Sequence, residues 1–128
     1  MSLNPVHKGK RGENELCRWL DINLGIDYAE REYNQAKGGA DVIVEDFIIE
    51  VKRREALDLE SWWYQVAIAK QRHPDIHLIP IVAYRQNRKP WGFLLPANLI
   101  IGIERSFVIA SEKVFIEFAK NLVKPRTD

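Results

Sequence analysis

The sequence has little that would point to an extracellular or membrane protein. It contains one cysteine, Cys17, so an internal disulfide is impossible, and its three histidines show no zinc-site spacing. Residues 1–10 lack the apolar segment of a signal peptide, and the most apolar run, residues 93–103, is interrupted by polar residues, proline and glycine. We therefore expect an intracellular, cytoplasmic protein with no membrane segment.

A strong surplus of one charge is also missing, because the formal net charge is only +1. The distribution is more informative, since the basic residues form three groups along the chain. These groups are Lys8, Lys10 and Arg11; Lys52, Arg53 and Arg54; and Arg85, Arg88 and Lys89. If they converge in space, they form a phosphate-binding surface; otherwise they are three unrelated solvated patches.

The apolar content is sufficient for one folded domain. The chain has 128 residues, of which 46% are hydrophobic and 10% aromatic, and it shows no repeat or linker. A single domain over residues 1–128 can therefore form its own core without disulfides or a structural metal.

Hydrophobic periodicity and turn residues predict the order of the elements. Helices are expected at residues 7–23, from about 58 to before Pro74, and after a Ser111 cap. Strands are expected at residues 26–33, 41–44, 47–52, 78–84 and 91–95, with Glu45 and Asp46 as a tight hairpin turn. The pattern of helix, three strands, helix, two or three strands, helix predicts an α/β (α+β) fold with a central mixed sheet flanked by helices.

Acidic and basic residues are placed in this pattern so that they can form a catalytic site. Glu50 and Lys52 are two residues apart on one strand and therefore share a face, and Asp41 begins the neighbouring strand. Glu13 lies in the early turns of the first helix. Carboxylates of this kind hold Mg²⁺, and a lysine can orient water or stabilise charge on a phosphate during phosphodiester hydrolysis. The alternative for Glu50 and Lys52 is an exposed ion pair of little energetic value.

Three segments, KGKRGENEL at residues 8–16, GADVIV at 39–44 and IEVK at 49–52, resemble the archaeal-type Holliday junction resolvases of the PD-(D/E)XK nuclease superfamily. The resemblance covers residues 8–54. It implies a restriction-endonuclease-like αβββαβ core and a magnesium-dependent endonuclease, with Mn²⁺ as a substitute and no small-molecule cofactor. It assigns the catalytic site to Glu13, Asp41, Glu50 and Lys52, with the three carboxylates as metal ligands.

The resemblance also implies that the partner is branched double-stranded DNA. The family commonly has an arginine directly after the helix glutamate, where this chain has Asn14, and Arg11 one turn away is a candidate to replace it. Gln65 is a candidate because related nucleases carry a glutamine on the second helix. The predicted DNA contacts are Lys8, Lys10, Arg11, Lys37, Arg53, Arg54 and Gln65.

Paired cleavage of a symmetric junction requires two active sites, so a homodimer is expected. The apolar segment 94–103 is one candidate interface, because exposed apolar patches often mark interfaces. Trp62 and Trp63 are adjacent and cannot both face the core, so we expect one to be buried and the other to lie at an interface or stack on DNA.

Three other functions fit parts of the pattern. One is a phage or repair nuclease of the same superfamily that cuts flaps, ends or duplex DNA, since this fold supports many substrates. A second is a non-catalytic DNA-binding module, although clustered acids would repel the DNA backbone unless a cation lies between them. The third is an interaction domain without a nucleic acid partner.

Overall fold

A computed structural model describes residues 5–25, 30–31, 42–99 and 106–122, and the side chains of residues 11–25, 42–99 and 106–122. The helices are α1 (Pro5–Leu24), α2 (Leu59–Arg72) and α3 (Glu112–Leu122). The strands are β1 (Glu30–Arg31), β2 (Val42–Val44), β3 (Phe47–Arg53), β4 (Ile79–Arg85), β5 (Gly92–Pro96) and β6 (Phe107–Ala110). The predicted order of elements is confirmed, with three strands in the second group.

The six strands form one sheet in the order β1-β2-β3-β4-β5-β6. Only the central pair β3 and β4 is parallel, whereas the four other pairs are antiparallel. A parallel pair needs a crossover connection, and α2 supplies it. The sheet is therefore mixed, as predicted.

The hairpin that leads into β3 forms as its sequence predicts. Val44 pairs with Phe47 across a two-residue turn, and Glu45 in that turn has a φ of 50°. A positive φ at this position is typical of the turns that join tightly twisted antiparallel strands. The hairpin fixes the register of β3, with Val42 opposite Ile49.

Local capping signals define the ends of the helices. Gly25 follows α1 with a φ of 65°, and its N–H donates to the carbonyl of Asp21 at 3.0 Å. Ser111 caps α3 as predicted, because its hydroxyl accepts a hydrogen bond from the N–H of Val114 at 3.3 Å. Asp58 occupies the N-cap position of α2, but its side chain makes no capping hydrogen bond.

Both faces of the sheet are covered by helices. Leu16 and Leu20 of α1 and Phe115 of α3 are buried in the larger core, together with Ile49 and Phe93 of the sheet. Trp62, Val66 and Ala69 of α2 are buried against the opposite face. We call the face covered by α1 and α3 the α1 face, and the face covered by α2 the α2 face.

The expectation of an exposed apolar interface at residues 94–103 is wrong for its first part. Leu94 and Leu95 are fully buried in β5, because Leu94 packs in the cluster of the α2 face and Leu95 in the core of the α1 face, and Ala97 is 1% exposed. Asn98 and Leu99 are exposed, and residues 100–105 lie outside the described part of the chain.

One of the two adjacent tryptophans is buried, as expected, whereas the interface or DNA-stacking role of the other stays a prediction. Trp62 is buried, with its ring centroid 5.9 Å from that of Tyr84. Trp63 is half-buried against Phe107 of β6, at 5.7 Å. Across the described helices, none is both long enough and apolar enough to traverse a bilayer.

Candidate active site

The alternation of β3 divides its side chains between the two faces of the sheet. Ile49 and Val51 belong to the core of the α1 face, whereas Ile48 packs with α2 residues. Glu50 and Lys52 therefore point to the α2 face. The Lys52 ammonium Nζ lies 3.6 Å from Glu50 Oε1, and the two side chains are only 13% and 15% exposed. The predicted side-by-side carboxylate and amine are present, and both are largely buried.

The apolar core ends where this pair begins. Ile48 and Ile49 are fully buried, and Val51, at 9% exposure, is the last apolar residue of the strand. The described part of β2 begins at Val42, opposite Ile49, so in that part of the chain residues 50–53 pair only with β4. The charged end of β3 begins at Glu50, and residues 32–41, which directly precede Val42, lie outside the described part of the chain.

Glu13 comes from α1, which rests directly on this end of β3. A Cβ at Gly12 would lie 3.4 Å from both Arg53 Cβ and Val51 Cγ1. Glu13 is 6% exposed and is the one buried charged residue in the described segments. Burial of a charge is costly unless the fold compensates it, so an internal carboxylate in this position marks a functional candidate.

Helix geometry indicates which flank of α1 carries Glu13. Glu15 contacts Arg53 of β3 and Arg85 of β4 and therefore lies on the β4 side of the helix. Two residues along an α-helix correspond to about 200° around its axis. Glu13 consequently lies on the opposite flank, toward β2, whose first residue follows Asp41 in the sequence. Asp41 itself lies outside the described residues.

These groups have the chemistry of a divalent cation site. Carboxylate oxygens are the ligands that Mg²⁺ prefers, and Glu13 and Glu50 both provide them from largely buried positions. Within the described ranges, no group of three or more His, Cys, Asp or Glu side chains could hold a metal. The donor type therefore fits Mg²⁺, and the predicted third ligand, Asp41, belongs to the undescribed segment.

Two of the three basic groups converge at the ends of the parallel strands. Arg53 pairs in register with Arg85, and the Arg54 N–H donates to the Arg85 carbonyl at 3.2 Å. Arg54, Arg88 and Lys89 are exposed around this end, and Arg88 has a φ of 61° in the turn after β4. Of the two possibilities that the sequence left open, convergence is thus found for these two groups.

The remaining predicted DNA contacts are only partly described. Arg11 is exposed on α1, one residue before Gly12. The side chains of Lys8 and Lys10 and the whole of Lys37 lie outside the described part of the chain. Arg53 points to the α1 face, where its Nε contacts Glu15 and its Nη1 donates to Asn87 at 2.8 Å.

Gln65 is exposed on α2, on the flank that faces the candidate site. Trp63 contacts Phe107 of β6, so it marks the flank of α2 directed toward that strand. Gln65 lies about 200° away around the helix, toward β3. The helix geometry is therefore compatible with the predicted role of this side chain beside Glu50.

Two neighbours of the site were not recognised from the sequence. Tyr84 is the register partner of Lys52 and shares its face, and burial raises the pKa of its hydroxyl above the usual value. Glu15 forms ion pairs with Arg53 and Arg85 on the α1 face of the sheet. The two-residue period of β4 contained a signal for Tyr84, whereas the partners of Glu15 are 38 or more residues away and leave no local signal.

The fold is similar to that of a solved DNA-processing enzyme. The structure of Hjc, a Holliday junction resolvase from the archaeal hyperthermophile Archaeoglobus fulgidus, matches with a TM-score of 0.56 and 22% sequence identity, over 87% of this chain and 98% of that chain. No protein-family model and no curated protein sequence matches. The structural likeness, together with the element order and the mixed sheet, confirms the predicted α+β, restriction-endonuclease-like fold.

Proposed function

We propose that this protein is a metal-dependent endonuclease that resolves four-way DNA junctions by phosphodiester hydrolysis. The observation that carries the proposal is the largely buried Glu50–Lys52 pair at the charged end of β3, with Nζ and Oε1 3.6 Å apart. An ion pair on a solvated sheet face contributes little to stability and would not need to be buried. The likeness of the fold to a Holliday junction resolvase supports the same reading.

Each residue of the site has a distinct role in the proposal. The carboxylates of Glu13, Asp41 and Glu50 hold Mg²⁺, for which Mn²⁺ can substitute. When bound, the ion supplies a water of lowered pKa and offsets the charge that develops on the phosphate. Lys52 donates hydrogen bonds from its ammonium group to the attacking water or to a phosphate oxygen. Its partial burial strengthens these bonds, because little water competes for them.

The DNA backbone is bound by the basic residues that surround the site. Arg54, Arg88 and Lys89 form an exposed group beyond the ends of β3 and β4, and Arg11 is exposed on α1. We assign Lys8, Lys10 and Lys37 to the same surface. Arg53 is a weaker candidate for direct contact, because Glu15 and Asn87 already accept its hydrogen bonds. Gln65 contacts the phosphate closest to Glu50.

Branched DNA is the substrate in this proposal, and the working unit is a homodimer in the cytoplasm. Two symmetric cuts in a four-way junction need two active sites related by a twofold axis. Light scattering at micromolar concentration should therefore give twice the mass of 14.9 kDa. A monomer under these conditions would contradict the dimer but leave the hydrolytic chemistry intact.

The proposal is tested by incubating purified protein with a synthetic four-way junction, a flap and a linear duplex, in Mg²⁺ or in chelator. The Asp41→Asn variant is assayed in parallel, because it removes a predicted ligand without changing side-chain size. Paired symmetric cuts in the junction alone, lost in chelator and in the variant, are the expected result.

The other outcomes separate the alternative functions. Cleavage of flaps or duplex at the same rate as the junction would keep the nuclease and contradict junction selectivity. Tight, salt-sensitive binding with no cleavage of any substrate would contradict catalysis and indicate a DNA-binding module. Absence of salt-dependent DNA binding would overturn the proposal as a whole.

A further inference from the structure

A cluster of charged side chains lies directly behind the candidate site, on the α1 face. The Nε of Arg53 contacts both carboxylate oxygens of Glu15, at 3.1 and 3.3 Å. The Nη1 of Arg85 lies 3.7 Å from the same carboxylate. One carboxylate of α1 thus joins the ends of the two central parallel strands.

Arg53 is also held from the side of the β4–β5 turn. Its Nη1 donates to Asn87 Oδ1 at 2.8 Å, and the Asn87 N–H donates to Glu55 Oε2 at 2.8 Å. The side chain of Gln86 donates to the Glu55 carbonyl, also at 2.8 Å. The segment that follows Lys52 is therefore attached both to α1 and to the turn after β4.

Residues of the cluster alternate along the chain with residues of the candidate site. Arg53 directly follows Lys52 and points to the opposite face of the sheet. Glu15 is two residues after Glu13 and lies on the opposite flank of α1. The Glu15–Arg53 pair therefore connects the two elements that carry Glu13 and Lys52 without itself lying among the site residues.

We propose that the Glu15–Arg53 pair, supported by Arg85, positions Glu13 relative to Glu50 and Lys52. This inference rests on the proposed nuclease function. Glu13 belongs to a helix and the other two residues to a strand, so their separation depends on how α1 is attached to the end of β3. A displacement of roughly 1 Å between catalytic groups can reduce a rate about a hundredfold.

Stability alone does not account for the cluster. The side chains of Arg53 and Glu15 are 19% and 27% exposed, and ion pairs that remain partly accessible to water contribute little net stability. Removing the pair should thus have a small effect on unfolding and a large effect on the geometry of the site.

The test compares Glu15→Gln, Arg53→Gln and the double variant with the wild type. Asp21→Asn is the matched control, because it removes the same charge from the exposed side of α1. Junction cleavage is measured over a range of Mg²⁺ and DNA concentrations. Each single variant is expected to lower kcat by about tenfold to a hundredfold and to raise the Mg²⁺ concentration needed for half-maximal rate, while KM for DNA changes less than about twofold in Glu15→Gln. The double variant should be no slower than the worse single variant, because both substitutions remove one interaction.

Three further measurements test the positioning role, and the first of them does not depend on catalysis. Titration calorimetry with Mn²⁺ alone should show weaker binding to Glu15→Gln than to Asp21→Asn. Arg53→Lys, which keeps a cation, should recover part of the lost rate, and circular dichroism melting should show that all variants are folded.

The outcomes distinguish this inference from the proposed function. Wild-type cleavage together with unchanged kcat and unchanged Mn²⁺ affinity in Glu15→Gln would overturn the positioning role alone, as would additive losses in the double variant. A wild type that cleaves no DNA would overturn the proposed function, and the Mn²⁺ titration would then still decide whether the pair organises the carboxylates.

Discussion

The two faces of β3 carry similar residues but hold their charges differently. Each face is apolar at its beginning and charged at its end. On the α1 face, Arg53 makes close contacts with Glu15 and Asn87, at 2.8 to 3.3 Å. On the α2 face, Lys52 Nζ lies 3.6 Å from Glu50, longer than the roughly 2.7 to 2.9 Å of a strong charge-assisted hydrogen bond.

This difference is the one that the proposed function requires between a structural charge and a catalytic one. The guanidinium of Arg53 is fixed by partners from two other elements, so it is suited to holding the strand in place. The side chain of Lys52 is largely buried, but among the described residues its ammonium group makes only a long contact with Glu50, so its N–H donors are suited to binding a substrate. In the proposed function, the same strand thus provides the support on one face and the chemistry on the other.

The largest expected effect is on catalysis at the α2 face. Lys52→Met keeps the side-chain length but removes the donor, and junction cleavage should fall about a hundredfold to a thousandfold. Lys113→Met, at an exposed position of α3, is the control and should cleave at the wild-type rate. Single-turnover rates with saturating Mg²⁺ measure the effect, and equal rates for the two variants would remove Lys52 from the site.

The apolar parts of the two faces should differ in stability. Ile49 is buried in the larger core, whereas Ile48 belongs to a small cluster with Ala69 and Leu78. Ile49→Ala should lower the free energy of unfolding by about 4 kcal/mol, and Ile48→Ala by about 2 to 3 kcal/mol. Urea denaturation measures both values, and a larger loss at Ile48 would show that the α2 face carries the main core.

A pair of glycines, one near each face, provides a smaller test. A Cβ at Gly92 would overlap the ring of Tyr84, whereas a Cβ at Gly12 would make ordinary contacts at 3.4 Å. Gly92→Ala should cost about 1 to 3 kcal/mol, because the ring beside Lys52 must shift. Gly12→Ala should be tolerated, since alanine favours the helix. Thermal unfolding measures both variants, and a lower melting temperature for Gly12→Ala than for Gly92→Ala would contradict this expectation.

The smallest effect is expected at an exposed arginine. Arg54→Ala should reduce the slope of log affinity against log salt by about one unit and weaken binding alike for junction and duplex, because a phosphate contact carries no sequence information. Fluorescence anisotropy at several salt concentrations measures the slope. Unchanged binding would show that the DNA does not pass over this end of β3.

The local features of the fold and of the candidate site could be predicted from the sequence. The hairpin, the shared face of Glu50 and Lys52 and the Ser111 cap follow from short-range patterns that need only neighbouring residues. The burial of Leu94 and Leu95 could not be predicted in this way, because it depends on helices from distant parts of the chain that cover the two faces of β5.

Contacts between residues far apart in the chain could not be predicted from the sequence either. Glu15 and Arg53 are 38 residues apart, and nothing near either residue indicates the other. The face occupied by Tyr84 could be inferred from alternation, but its register opposite Lys52 depends on how β3 and β4 align. The sequence therefore predicts which residues carry the chemistry, and the structure adds the long-range contacts around them.

The central claim is that the carboxylate on the α2 face of β3 is catalytic. The most direct test is the single-turnover rate of junction cleavage by Glu50→Gln, compared with Glu117→Gln at an exposed position of α3. We predict that Glu50→Gln binds the junction at least as tightly as the wild type, because a charge that repels phosphate is removed, but cleaves it at least about a thousandfold more slowly. A Glu50→Gln rate equal to that of Glu117→Gln would contradict the claim.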